Sequence, residues 1–307
     1  MRIVIMGSGG LGGYFGGLLA RSGADVRFVA RGAHLQALQE RGLTVRSVHG
    51  DFTVPVRASA DLHGFPPADV VLFCVKTYDA AAAAALLQPV VAATTTVLTL
   101  QNGVDMAADL RATFGRGTIL AGVTRMGSTL VAPGVIEQPT TDRLIEFGSL
   151  TGQEQEETER VRTLCLAAGI PTLISSNIQR SLWEKLVFIA PFSGLSTLTR
   201  LTPGQLLAHA PTRGLYHTVM QETAAVAQAA ADVEPEIVER TMHYLDTAGD
   251  PGDSSMAMDF QRQRRIEVDA INGAVVRHGQ RLQVPTPLND VIYHSLLVMD
   301  RYNRQVA

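Results

Sequence analysis

"IVIMGSGGLGGYFGGLLARSG", residues 3–23, is the stretch that decides the fold. An apolar run, Ile3 to Met6, stops at Gly7, and an apolar helical stretch continues to about Ser22. Between them Gly7, Gly9 and Gly12 stand in the G-x-G-x-x-G arrangement. The spacing has a physical cause. The first glycine permits a tight turn, the second lets backbone approach a pyrophosphate, and the third lets helix pack on strand. Strand, glycine turn and helix in that order are the context that gives the motif meaning. A pyrophosphate would sit on the helix N-terminus, where free N–H groups and the helix dipole favour anions. Gly7, Ser8, Gly9, Gly10, Leu11 and Gly12 are therefore the candidate cofactor-binding loop. A flavin, an S-adenosyl compound or a purely structural turn are the other readings. Gly13, Gly16 and Gly17 extend the smooth helix face.

Outward from this unit, strand-like and helix-like stretches alternate. Strands are expected at 25–30, 68–76, 95–100 and 118–123, and helices at 33–41, from Ala80, and at 104–113. Two alternating runs, "LTVRSV" and "FTVPVRA", flank His49-Gly50-Asp51 as a hairpin. Residues 124–148 read as an antiparallel meander, followed by a helix at 153–168 and a strand at 171–174. Repeated β-α-β units imply a parallel sheet covered by helices on both faces. After about Ser176 the strand signal fades, and helices are expected at 178–191, 213–231, 235–246, 256–278 and 287–304. The fold class is thus α/β: a Rossmann-type doubly wound sheet over 1–176 and an all-helical domain over 177–307.

Composition bounds the function. The chain has 307 residues, 46% of them hydrophobic and 18% charged, as in ordinary globular domains. A net charge of −3 argues against nucleic acid as a partner. No apolar run is long enough for a membrane span. Met1 leads directly into a strand-like run too short for a signal-peptide core. Cys74 and Cys165 sit in apolar contexts without metal spacing and read as reduced core thiols. The eight histidines are scattered, so no metal site is expected. The expectation is a cytoplasmic protein with a small-molecule substrate. The alanine-rich helix around 215–231 could be core or the interface of a homodimer.

Positive charge is distributed unevenly. Of 26 basic residues only two are lysine, Lys76 and Lys185. Arginine stays protonated, whereas lysine can release a proton, so a chain that otherwise uses arginine marks these two for chemistry. The bland reading is coding bias. Lys76 ends the strand "VVLFCVK", and Asn102 in "LTLQNGVD" follows the next strand. Ligands of open parallel sheets lie beyond such carboxyl ends. An Asn-Gly turn is the simpler reading of Asn102. At the end of the second strand the expected acid for an adenine ribose is missing, and Arg31 stands there. A guanidinium suits a 2′-phosphate, which favours NADP(H), unless Arg31 merely solvates a loop.

"GSGGLGG", "VKTYD" around Lys76, "QNGVD" around Asn102, "LWEKL" around Lys185 and "SSMAMDFQRQRRIEVDAINGAVV" (254–276) together resemble the ketopantoate reductase (2-dehydropantoate 2-reductase) family. The resemblance implies reduction of a 2-oxo acid by NADPH, with ketopantoate giving pantoate for coenzyme A synthesis. It implies that Lys185 is the catalytic general acid and that Glu267 positions lysine, substrate or cofactor. Ser255 would bind the substrate carboxylate, while Lys76 and Asn102 would contact cofactor and substrate. Without it, Glu267 reads as a solvated helix charge and Ser255 as a helix cap.

The family's pattern breaks at two positions. Asparagines commonly stand four and eight residues after the lysine, and here these positions are Ile189 and Ser193. Ser193 keeps a hydroxyl for substrate binding, but Ile189 forfeits a hydrogen bond that could discriminate substrates. Pro191 should kink or end that helix. Ser255 and Glu267 would be about 18 Å apart on one straight helix, so Ser255 is expected in a loop that folds back. A family member acting on a less polar carbonyl is the second reading. A non-catalytic NADP(H)-binding redox sensor is the third.

Overall fold

The computed structural model describes residues 1–305. The chain divides into two compact units, Met1–Gln101 with Met106–Ile178, and Asn102–Asp105 with the chain from Gln179 onward.

The first unit opens with β1 (Arg2–Met6), α1 (Gly10–Arg21), β2 (Asp25–Val29) and α2 (Gly32–Arg41). Next come β3 (Leu43–Ser47), β4 (Phe52–Val54), β5 (Arg57–Ser59), β6 (Val70–Phe73), α3 (Ala80–Leu87) and β7 (Thr96–Thr99). The remainder is α4 (Met106–Phe114), β8 (Thr118–Val123), β9 (Thr129–Ala132), β10 (Val135–Gln138), β11 (Ile145–Ser149), α5 (Gln155–Ala167) and β12 (Thr172–Ile174).

Eight strands form the main sheet in the order β12-β11-β8-β7-β6-β1-β2-β5. From β5 to β8 every pairing is parallel. The strand order reverses between β1 and β6, the switch point at which such sheets bind ligands. β6 and β7 are buried along their whole length, which is why they read as unbroken apolar runs.

Two expectations need correction. The run "FTVPVRA" is not one hairpin arm: it splits at Pro55, β4 pairing with β3 and β5 joining β2 in the main sheet. Residues 124–148 are not a simple meander either. β9 and β10 form a hairpin, but β10 pairs in parallel with β3, while β11 returns to the main sheet antiparallel to β8. A second sheet results, ordered β4-β3-β10-β9. Helix α1 lies between the two sheets, and its glycines serve two faces rather than one. A Cβ on Gly16 would lie 2.7 Å from Phe28 of β2, and one on Gly13 would lie 2.8 Å from Ile136 of β10.

The second unit holds α6 (Ile178–Thr199), α7 (Pro203–Leu207), α8 (Ala210–Ala231) and α9 (Ile237–Thr247), then α10 (Ser255–Gln261), α11 (Asn272–Leu282) and α12 (Pro287–Asn303). Its core gathers Trp183, Leu186 and Val187 of α6 with Tyr216 and Met220 of α8 and Val275 of α11. Pro191 does not end α6, which runs through it for 22 residues. Asn272 donates to the Ala190 carbonyl (3.2 Å), one residue before the proline.

The helix expected over 256–278 is broken. Between α10 and α11 the chain turns, with Gln263 at φ 54°. Helix α12 holds the break: Asn303 donates to the Phe260 carbonyl (2.7 Å), and buried Asp300 accepts the Ile266 N–H (3.2 Å). These bonds replace those an uninterrupted helix would make. Ser255 does not lie in a loop folding back, as expected, but opens α10, behind the N-cap Ser254.

The glycine packing sets a contrast in stability. Gly16→Ala should cost about 1–3 kcal/mol, the usual range for overpacking. Gly214→Ala, exposed on α8 with nothing within 4 Å of the new methyl, should gain up to about 1 kcal/mol. Urea unfolding of both variants checks the contrast.

Candidate active site

In the first unit the glycine loop leaves β1 at the switch point. Gly7 has φ 97°, and a Cβ there would lie 2.6 Å from the Val75 nitrogen at the β6 exit. Gly10 and Gly12 are equally closed to a side chain, against the Ser128 and Gly7 carbonyls. Gly9 differs: a Cβ there would meet nothing within 4 Å. Its lack of a side chain relieves no contact inside the protein, so it leaves backbone open to a ligand. Gly9 is also the N-cap of α1, whose first turn carries no acidic residue. The cradle fits a pyrophosphate.

Ser8 is buried, its hydroxyl donating to the Val29 carbonyl (3.0 Å), so its side chain braces the loop from within. Leu11 packs partly buried on the core. Arg31 is exposed at the N-cap of α2, immediately beyond β2. Lys76 is partly buried beyond β6, at the start of a 3-10 turn over Thr77–Asp79.

Two supporting residues escaped the sequence reading. Gln101 donates to the Val75 carbonyl (2.9 Å), tying together the exits of β6 and β7. His34 bonds the Ser8 carbonyl through Nε2 (2.9 Å) and accepts the Gly134 N–H at Nδ1 (3.0 Å). It therefore couples the glycine loop to α2 and to the β9–β10 turn. Both connect segments distant in sequence, and no spacing announces them.

In the second unit Lys185, on α6, donates to Asn102 Oδ1 (3.0 Å), and Asn102 Nδ2 donates to Glu267 Oε2 (3.4 Å). The orientation of the amide follows from chemistry: an ammonium only donates and a carboxylate only accepts, so Oδ1 faces lysine and Nδ2 faces glutamate. Glu267 is 5% exposed and sits in the turn between α10 and α11, not on a solvated helix face. Gly103 has φ 91°, and a Cβ there would lie 2.7 Å from the Ala270 carbonyl. The Asn-Gly pair is thus a turn that also presents the Asn102 amide to Lys185 and Glu267.

Ile189 and Ser193 follow Lys185 on the same face of α6, 9% and 4% exposed respectively, and Ile189 belongs to the helical core. Ser255 is exposed on the first turn of α10. The structure brings together Lys185, Asn102 and Glu267; Ser193 and Ser255 lie outside that hydrogen-bonded set.

A parallel sheet with a glycine cradle at its switch point, joined to a helical unit carrying a lysine–asparagine–glutamate chain, defines a Rossmann-type oxidoreductase. The description "Ketopantoate reductase PanE/ApbA" matches residues 3–152, and that of the family's C-terminal domain matches residues 177–299. A 2-dehydropantoate 2-reductase of Nostoc sp. is 30% identical, over 99% of this chain and 96% of that protein. The crystal structure of a PanE/ApbA family ketopantoate reductase from Ralstonia eutropha superposes with a TM-score of 0.90 at 32% identity, covering 99% of this chain and 100% of that one. A D-mandelate dehydrogenase shares the fold, with a TM-score of 0.90 at 23% identity and 99% of each chain covered. The chain belongs to the ketopantoate reductase family.

The His34 bridge makes stability depend on pH. Burial lowers its pKa below the ordinary 6.5, against the smaller opposing effect of the Ser8 carbonyl. A second proton would also set Nδ1–H against the Gly134 N–H. Below about 6.5 the unfolded chain takes up this proton before the folded one, so stability present above that pH is lost on acidification through the lowered value. Melting temperature followed from pH 7.5 to 5 should show this loss. His34→Gln, which keeps a donor toward Ser8, should remove that component of the slope.

Proposed function

We propose that the protein reduces a small 2-oxo acid with NADPH, and that ketopantoate, giving pantoate, is the substrate. The observation that carries this reading is the hydrogen-bonded chain Lys185–Asn102–Glu267. When bound, the nicotinamide supplies hydride to the carbonyl carbon. The developing alkoxide then needs a proton and a positive neighbour, and the Lys185 ammonium is both. Arginine cannot serve, because it does not release a proton near neutrality. Asn102 takes one N–H of the ammonium and so fixes where its charge and proton stand. Glu267 holds the far side of the same amide, so the lysine is oriented before substrate arrives.

In this reading Ser255 and Ser193 hold the polar groups of the substrate, Lys76 lies on the cofactor side, and the loop Gly7–Gly12 binds the pyrophosphate. Arg31, exposed beyond β2, gives the 2′-phosphate a bidentate partner and so favours NADPH over NADH. One observation favours a second reading. Ile189 takes a place where a polar side chain would grip the substrate, and its packing in the core supports a less polar 2-oxo acid or related carbonyl. A non-catalytic redox sensor would have no use for a buried glutamate coupled to an amine.

Consumption of NADPH, followed by absorbance on adding ketopantoate, is the direct test. Fast saturable oxidation is expected. Binding of NADPH without oxidation would move the substrate to less polar 2-oxo acids. Lys185→Ala should lower kcat by about 10²–10⁴-fold, the usual weight of general acid catalysis, while leaving NADPH affinity nearly unchanged. Turnover at the wild-type rate would remove the general-acid role. Arg31→Ala should weaken NADPH by about 10-fold or more, as expected for a lost charge-assisted hydrogen bond, and NADH hardly at all. Equal losses for both cofactors would sink the 2′-phosphate assignment.

A further inference from the structure

Lys185, Asn102 and Glu267 come from three separate segments, so something must hold those segments in register. Two consecutive residues of α11 touch all three. His278 Nε2 lies 2.7 Å from Asp105 Oδ1, and Asp105 is three residues beyond Asn102. The same imidazole packs edge-on against Trp183, with ring centroids 5.0 Å apart, and Trp183 precedes Lys185 by two residues on α6. Arg277 donates to Asp269 Oδ1 (2.9 Å) and to the Asp269 carbonyl (3.1 Å), two residues beyond Glu267. It also pairs with Asp105 (3.6 Å).

The network is directional. Arg281 stands 2.8 Å from His278 Nδ1, and a guanidinium has no acceptor. Nδ1 therefore accepts, and Nε2–H is left to donate to Asp105. Burial would raise the Asp105 carboxyl, but the His278 hydrogen bond and the Arg277 guanidinium outweigh it and hold it below the usual range. Tyr293 donates to Asp269 (2.8 Å), fixing the other end.

We infer that Arg277 and His278 are positioning residues for the reaction, a clamp on α11 that fixes the Lys185–Asn102–Glu267 chain by anchoring the segment that bears each member. They touch none of the three directly. The inference rests on the proposed role of Lys185, and the test separates the two.

Glutamine can place an N–H donor near the position of histidine Nε2, whereas asparagine is too short. His278→Gln and His278→Asn both lose the ring contact with Trp183 and should lose similar thermal stability. Only His278→Asn should lose the anchor on Asp105. Its kcat should fall by about 10-fold to 10²-fold, the upper figure being the cost of an approximately 1 Å misplacement caused from a distance, with KM for NADPH changed less than about twofold; His278→Gln should stay near wild type. The scarcity of lysine supplies a readout that needs no substrate. With ¹³C-lysine labelling the protein gives two side-chain Cε–Hε signals, from Lys76 and Lys185. In His278→Asn the Lys185 signal should move and broaden while that of Lys76 stays in place.

If both variants only melt earlier, with kcat and the Lys185 signal unchanged, His278 is structural and the inference fails. Should His278→Asn not fold, Asp105→Ala removes the shared acceptor at a partly exposed position, and an unmoved Lys185 signal there overturns the clamp equally. A wild-type rate in Lys185→Ala would instead remove the general-acid reading, and the NMR result would still decide whether α11 positions the lysine.

Discussion

Helix α1 lies between two sheets, and it can do so only where its surface is nearly bare backbone. Gly12 and Gly16 face the main sheet, and Gly13 and Gly17 face the smaller one, so close approach is available on two sides of one helix. That approach brings the start of α1 against the β1 exit, and the turn at Gly7 passes within contact distance of the β6 exit. The switch point of the sheet and the N-terminus of the helix are thereby fused into one feature. Gly9, the N-cap whose missing side chain relieves no contact inside the protein, is left open there.

In the helical unit the governing element is an amide. Lys185 and Glu267 both bond the side chain of Asn102. With Asn102 between them along this chain, the ammonium meets a carbonyl oxygen and the carboxylate meets an N–H. Each group thus has a partner in the same amide. Glu267 can be buried because it occupies a turn whose backbone is held by α12 and whose flank is held by Arg277. Stability of the turn and geometry of the site are therefore one problem.

Local signals in the sequence carried much of this. The alternation of buried runs with helices located β1, β2, β6, β7 and β8 because parallel strands covered on both faces have no polar side to blur the pattern. Lys185 and Asn102 stood out by residue type and by position after a strand or on a helix. What escaped notice depended on distant partners. Nothing in "VIEQ" says that β10 will pair with β3 rather than extend a meander. Pro191 is a local signal for a helix end, overridden where α6 packs into the helical core. The break after Gln261 lies in a sequence with ordinary helical propensity, and it exists because Asp300 and Asn303, some 40 residues on, take the hydrogen bonds. His34, Gln101 and His278 likewise act across gaps that spacing cannot reveal.

Asn102–Asp105 groups with the helical unit although it is encoded within the α/β half. The chain therefore passes between the units three times, and neither unit is a contiguous gene segment. A chimera joining the α/β half of one relative to the helical half of another at residue 177 would exchange the surroundings of this tetrapeptide but not the tetrapeptide itself. Asn102, Gly103 and Asp105 would then face a foreign Ala270, Arg277 and His278. A chimera that keeps both units intact must therefore carry Asn102–Asp105 over together with the helical unit, across a boundary folded into the middle of the first half.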